Sequence, residues 1–193
     1  MPRSQPNLFA GQPASPEGFR LVPELLEPGE EQGLLRSFDG LDFKHFDFRG
    51  FQGKRRVVSF GWRYDFSGGG LQRAGTIPEF LLPVRAQAAA AFGLVPEELE
   101  QLSVIEYPPG ATIGWHRDRP VFGDVVGVSL LSACTFRFRR KVGDGWQRRS
   151  LVLEPRSAYV MLGEARTEWE HSIPPVPSVR YSITMRTMRE KRD

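Results

Sequence analysis

Two side chains of metal-ligand type stand two residues apart in His116-Arg117-Asp118, and a third, His171, lies in the later segment Trp169-Glu170-His171-Ser172-Ile173. Along an extended segment such residues project to the same side, so His116 and Asp118 can reach one ion. With His171 on a neighbouring strand, two imidazoles and one carboxylate would close a triangle on one face of a metal. Three coordination positions then stay open, which is the arrangement of non-haem iron(II) oxygenases. Zinc bound by two histidines and an acid, as in metallohydrolases, is the chemical competitor. An H-x-D tripeptide alone is a weak signal, because in a polar loop the same residues bind nothing. Composition shortens the search for donors. The chain has 3 histidines, and Cys134 is its one cysteine, so a thiolate cluster and an internal disulfide are both excluded.

A second feature lies near the C-terminus. Arg180-Tyr181-Ser182-Ile183-Thr184-Met185-Arg186 alternates with period two, so Arg180, Ser182, Thr184 and Arg186 share one face and Tyr181, Ile183 and Met185 the other. Arginines on a face that meets a core are costly unless they pair with anions. A guanidinium grips a carboxylate through two parallel hydrogen bonds, so a small dicarboxylate such as 2-oxoglutarate would account for the pattern. A solvent-facing strand side is the plainer reading of the same residues.

The elements that must position these groups are legible in outline. Residues 1–18, rich in Pro, Gly, Ser and Gln, read as a flexible arm, and 19–193 as one domain. Within it, 19–100 would supply helical support and a substrate lid, and 101–193 a jelly-roll core. Helical spacing covers Pro28 to Phe38. Thr76 and Glu79 suggest a capping box ahead of the run LLPVRAQAAAAF, which Gly93 ends, although Pro83 allows a later start. From Phe46 to Phe66 the pattern is strand-like, with Phe60, Trp62, Tyr64 and Phe66 on one face. Beyond Leu102 come short strands at 102–107, 125–131, 135–139, 148–153, 158–162, 169–173 and 179–187, with Gly143-Asp144-Gly145 as a hairpin turn. The class is α+β: a double-stranded β-helix (jelly roll) braced by N-terminal helices.

Charge bears on partners. The formal net charge is +3, which permits contact with a phosphate backbone without demanding it. Between Arg137 and Arg149, six Lys/Arg stand against one Asp, which fits a solvated hairpin or a surface facing a polyanion. No apolar run is long enough to span a bilayer, and the first twenty residues lack the marks of a signal peptide. The expectation is a cytoplasmic protein with no membrane partner, and a monomer.

With these segments assembled, the sequence resembles the AlkB family of 2-oxoglutarate- and Fe(II)-dependent dioxygenases. The resemblance rests on Tyr107-Pro108-Pro109-Gly110-Ala111, His116-x-Asp118, Val128-Ser129-Leu130, Gly163-Glu164-Ala165-Arg166, His171, and Arg180 through Arg186, in that order. It implies Fe(II) held by His116, Asp118 and His171, with 2-oxoglutarate as co-substrate and dioxygen as oxidant. It further implies Arg180 on the distal carboxylate of 2-oxoglutarate, Tyr107 hydrogen-bonding the co-substrate, and Arg186 near its chelating end. Gly61-Trp62-Arg63-Tyr64 matches the family's lid, so Trp62, Tyr64 and Arg63 become candidate substrate contacts, with Arg55 and Arg56 near phosphates. Phe60 and Phe66 read instead as buried strand residues, Trp115 as core, and His45 as a surface residue.

Two departures from the family stand out. Many relatives carry Asn where this chain has Ile105, and repair members often carry a second acid where it has Pro120. The resemblance implies oxidative demethylation of alkylated nucleobases in DNA or RNA. A hydroxylase or demethylase of protein or small-molecule substrates, and a non-catalytic nucleic-acid-binding module, are the alternatives.

Overall fold

The computed structural model describes residues 15–48 and 51–189, so most of the arm expected over 1–18 lies outside the described residues. The chain enters through β1 (Phe19–Val22) and α1 (Pro28–Phe38), then β2 (Lys44–Phe48) and β3 (Phe51–Phe60). A small hairpin of β4 (Trp62–Asp65) and β5 (Gly70–Arg73) precedes α2 (Leu82–Phe92). The remaining strands are β6 (Leu99–Tyr107), β7 (Ile113–His116), β8 (Phe122–Leu130), β9 (Cys134–Val142), β10 (Gly145–Leu153), β11 (Ala158–Met161), β12 (Glu170–Ile173) and β13 (Arg180–Met188). The short α3 (Gly163–Thr167) separates β11 from β12.

Two sheets carry the domain. A seven-stranded sheet has the order β1-β11-β8-β13-β6-β3-β2, and a four-stranded sheet the order β10-β9-β12-β7. This is the expected jelly roll. The N-terminal part, however, is less helical than the sequence suggested, because β1, β2 and β3 all join the large sheet. β1 offers only four residues, too few for alternation to stand out, and it gains its place through pairing with β11.

Both faces of the large sheet are covered, which explains why its strands read as continuous apolar runs. One face, with Leu102, Val104, Val128, Ile183 and Met185, packs on Val84, Ala88 and Phe92 of α2 and on Leu34 and Phe38 of α1. The other, with Ile105, Tyr107, Val125, Tyr159 and Met161, meets Phe136 and Phe138 from the small sheet. Each such side chain contributes about 1.5–3 kcal/mol when fully buried. Gly127 faces this second layer because the Tyr159 ring fills the place of a side chain: a Cβ there would lie 2.3 Å from the ring.

α1 starts on Pro28 as expected and carries a capping box between Glu27 and Glu30. The box expected at Thr76 and Glu79 does not form. A 3-10 turn spans Glu79–Leu81, and α2 begins at Leu82 with Pro83 in its first turn, where a missing N–H costs nothing. At the β3–β4 corner Gly61 takes φ +71° while Glu100 O lies 1.9 Å from where a Cβ would sit. Only glycine fits there. No described helix is long and apolar enough to cross a membrane.

Candidate metal centre

β7 and β12 are neighbours in the small sheet, and their register sets His171 directly opposite His116. The two rings lie 4.2 Å apart between centroids. Asp118 follows two residues past His116, and its Oδ2 approaches His171 Nε2 to 3.7 Å. One ligand atom from each of His116, Asp118 and His171 falls within 4.8 Å of the others. Pairing of two strands therefore does what spacing in the sequence could only suggest.

The environment keeps these groups in the form a metal needs. Burial, then the neighbouring His116, pushes the His171 pKa down to about 3. Burial likewise lowers His116, against an opposing pull from Asp118. For Asp118 burial acts the other way, yet Arg186, His171, His116 and Arg166 outweigh it and hold the carboxyl well below the usual range. Neutral imidazoles beside a charged carboxylate are ready ligands. His116 Nδ1 lies 2.9 Å from the carbonyl of Gly114, to which it donates when protonated there, leaving Nε2 to face an ion.

Asp118 is held from two sides. Arg186 reaches its Oδ1 through Nη2 at 2.8 Å and Nε at 3.0 Å, while Nη1 donates to Gln101 at 2.6 Å. Arg166, buried in α3, donates to the carbonyls of Asp118, Arg119, Phe122 and Gly123 at 2.7–3.3 Å. It fixes the loop that carries the carboxylate. In the sequence Arg166 stands out only as the end of the Gly163–Arg166 segment, with nothing to mark its role.

Arg180 supplies a test of the co-substrate. It is 1% exposed, stands opposite Tyr107 in the β13–β6 register, and has its guanidinium 4.8 Å from the centre of that ring. One nitrogen donates to Ser129 at 3.3 Å. Its Nε and Nη1 are buried and find no partner among the described residues. A buried guanidinium with two donors to spare calls for an anion, and a carboxylate fits. Tyr107 and Ile105 face the same layer, as parity requires, and Tyr107 Oη lies 3.5 Å from Ser182 Oγ. The donor set and this cation fit iron and 2-oxoglutarate together.

The model of the 2OG-Fe(II) oxygenase superfamily matches residues 18–190. The chain belongs to that superfamily. Among curated proteins it is similar to ALKBH8 proteins. It is 29% identical over 89% of its length to an alkylated DNA repair protein ALKBH8 homolog of Arabidopsis thaliana, covering 56% of that protein. It is 30% identical over 86% of its length to the tRNA (carboxymethyluridine(34)-5-O)-methyltransferase ALKBH8 of Mus musculus, covering 25% of it. The chain thus spans about half or less of these relatives. Among solved structures, OsALKBH1 superposes with a TM-score of 0.63 at 17% identity, covering 88% of this chain and 98% of that one. A prolyl-4-hydroxylase of Pseudomonas putida does so with 0.59 at 17%, covering 90% and 93%. As an oxygenase of this superfamily the protein uses Fe(II), 2-oxoglutarate and dioxygen.

The candidate substrate contacts are divided by the structure. Tyr64 sits beneath Arg119, whose guanidinium is 4.8 Å from its ring and which directly follows Asp118. Trp62 is stacked by Arg73 at 3.8 Å and donates to Glu100, while Arg63 is spent on Gln72. Arg56 pairs with Glu106 and is not free for phosphate. Arg55 is different. It faces Phe46 at 3.8 Å, and its surroundings include Tyr107, Arg186 and Asp118; burial is the main cause of its lowered pKa. Phe66, expected in the core, is half-buried and touches both Tyr64 and Phe46. Trp115 does point away from His116, but onto the outer face of the small sheet rather than into the core, between Arg137 and Arg139. Phe60 is buried and His45 exposed, as expected.

Proposed function

We propose that this oxygenase oxidatively demethylates alkylated nucleobases in DNA or RNA. The observation that carries the reading is a run of rings and guanidiniums bordering the metal centre. Arg119 lies over Tyr64 and Phe66, Phe66 touches Phe46, and Phe46 carries Arg55. Flat apolar faces alternating with cations suit a base flanked by phosphates. The names of the curated relatives, an alkylated DNA repair protein homolog and a tRNA methyltransferase, agree with a nucleic-acid substrate.

In this reading His116, Asp118 and His171 hold the iron, and Arg180 binds the distal carboxylate of 2-oxoglutarate. Tyr107 orients the co-substrate, and Arg186 keeps Asp118 aimed at the ion. When bound, iron, 2-oxoglutarate and dioxygen supply an oxidant that hydroxylates a C–H bond, and on an N-methyl group this releases formaldehyde. The protein's own part is to position the base and exclude water. No side chain acts as a nucleophile. Tyr64 and Phe66 provide surfaces for the base, and Arg55 and Arg119 provide charge at the rim.

One observation favours a second reading. Pro120 stands where repair members often carry an acid near the base, so a protein or small-molecule substrate is the alternative. The deciding experiment loads the protein anaerobically with Fe(II) and 2-oxoglutarate, then admits oxygen with methylated single-stranded oligonucleotides. Formaldehyde dependent on both oligonucleotide and 2-oxoglutarate is expected. Succinate without formaldehyde on every methylated oligonucleotide would favour the second reading.

A further inference from the structure

The small sheet turns a basic, aromatic face outward. Residues of β9 alternate, so Phe136 and Phe138 enter the core while Arg137, Arg139 and Lys141 point out. Across the hairpin, Trp146 stands opposite Lys141 and Arg148 opposite Arg139. Cation and indole alternate along this face. Trp115 lies between Arg137 and Arg139 at 5.0 and 4.6 Å, and Trp146 between Arg139 and Lys141 at 4.3 and 5.6 Å.

Such an array is unfavourable in isolation. Like charges directly opposite on paired strands repel, and in the Arg139–Arg148 pair Glu170 answers only the charge of Arg139, leaving Arg148 without a counter-charge among the described residues. The acids nearby are already engaged: Glu170 pairs with Arg139, and Glu164 and Glu168 with Arg140. Arg117, Arg137, Lys141 and Arg148 have no carboxylate partner among the described residues; Arg117 donates to Thr167 O, Arg137 to Ser172 Oγ and Lys141 to Asp144 O. An external polyanion would relieve the repulsion.

The face also has a place for a monomer unit. A groove of about 310 Å³ opens among Arg117, Arg139, Arg140, Lys141 and Trp146, with Glu168 and Glu170 on its wall. That is the low end of the roughly 300–1,000 Å³ of small-molecule sites, room for about one nucleotide. Trp146 is 39% exposed there. Arg117 joins the groove to the metal centre, because it sits between His116 and Asp118 in the chain.

We propose that this outer face of the small sheet binds a single-stranded stretch of nucleic acid flanking the reacting base. Arg117, Arg137, Lys141 and Arg148 take the phosphates, and Trp146 stacks a base in the groove. The inference rests on the nucleic-acid reading above and extends it from the target base to the strand that carries it. A face used only to hold the hairpin together would need neither the surplus cations nor the groove.

The test is fluorescence anisotropy of an unmodified single-stranded oligonucleotide of about fifteen nucleotides, titrated with the full chain at several salt concentrations. Each phosphate contact on a single strand contributes about 0.7 to the slope of log affinity against log salt. The triple variant Arg137→Ala/Lys141→Ala/Arg148→Ala should therefore lose about 2 from that slope. Trp146→Ala should bind about tenfold more weakly, within the range of one lost stacking contact. Thermal melting checks the fold; if the triple variant is unstable, Lys141→Ala/Arg148→Ala, both on exposed residues, should still lose about 1.4. Unchanged slope and affinity in folded variants, with formaldehyde still released from methylated oligonucleotides, would sink the surface and spare the demethylase reading. A wild-type chain that neither binds the oligonucleotide nor releases formaldehyde from its methylated form would sink both.

Discussion

Arg186 holds the carboxylate of Asp118 with two of its nitrogens, at 2.8 and 3.0 Å to one oxygen, and spends the third on Gln101. The family resemblance placed Arg186 at the chelating end of the co-substrate. In the structure two of its nitrogens are spent on the carboxylate of Asp118, the proposed metal ligand. Removing a group that orients a metal ligand typically lowers metal affinity about 10–100-fold. Arg186→Ala is expected to do so for Fe(II), read by anaerobic calorimetry, while the protein stays folded. An affinity equal to wild type would mean that Asp118 is positioned without it.

Arg166 acts on the same ligand through the backbone. Four carbonyls, two in the β7–β8 connection and two at the start of β8, accept from one buried guanidinium. Without it those carbonyls lose charge-assisted bonds worth about 1.5–3 kcal/mol each in favourable cases, although relaxation and water recover part. Arg166→Ala should lower unfolding stability by about 3 kcal/mol or more. Arg166→Lys should rescue little, because an ammonium cannot present the planar fork. Chemical denaturation decides it, and a full rescue by lysine would show that charge alone suffices.

The contrast between these arginines shows what could be read in the sequence. Period-two alternation put Arg180 and Arg186 on one strand face, because alternation is a local property and β13 is long enough to display it. The spacing of His116 and Asp118 was local too. The partner of His116 was not: opposition to His171 depends on the register of β12 with β7, which only the assembled sheets define. Arg166 escaped because its partners are carbonyls, which leave no mark in a sequence. Alternation correctly turns Trp115 away from His116, but it does not say whether that opposite face meets the core or solvent. Arginines on β9 cover it on the outside, a cross-strand contact that spacing does not reveal.

Arg180 leads to a prediction about the co-substrate. Two of its donors are buried without partners among the described residues. 2-Oxoglutarate added anaerobically with metal should therefore raise the melting temperature; at a hundred times its Kd, ligand binding stabilises by about 2.7 kcal/mol. Arg180→Ala should raise the apparent KM for 2-oxoglutarate at least tenfold, since a charge-assisted bidentate pair is lost. A KM unchanged by the substitution would place the carboxylate elsewhere.

Arg55 separates the substrate from the co-substrate. Its guanidinium stacks on Phe46, forms no ion pair among the described residues, and lies where Asp118 and Tyr107 influence it. On the demethylase reading it meets the nucleic acid at the rim. Arg55→Ala should then raise KM for a methylated oligonucleotide about tenfold, roughly the 1.4 kcal/mol of one modest charged contact. The KM for 2-oxoglutarate should stay near wild type. The opposite split, with the oligonucleotide unaffected and 2-oxoglutarate weakened, would move Arg55 to the co-substrate.

Ile105 is the departure that can be reversed. It lies on the same inward face as Tyr107, opposite Ser182 on β13, and its side chain offers no hydrogen bond where many relatives carry Asn. If an amide there reaches the co-substrate, it restores one neutral hydrogen bond, worth about 0.5–1.5 kcal/mol, or roughly two- to tenfold in affinity. Replacing a nearly buried isoleucine also removes apolar packing against Val57, its neighbour on β3. The variant should therefore melt lower while binding 2-oxoglutarate more tightly. Those two effects have opposite signs in a ligand-dependent melting series: the metal-free Ile105→Asn protein starts below wild type, and its gain on adding metal and 2-oxoglutarate exceeds the wild-type gain. A gain equal to or smaller than wild type would show that the co-substrate in this chain is held without a donor from that position.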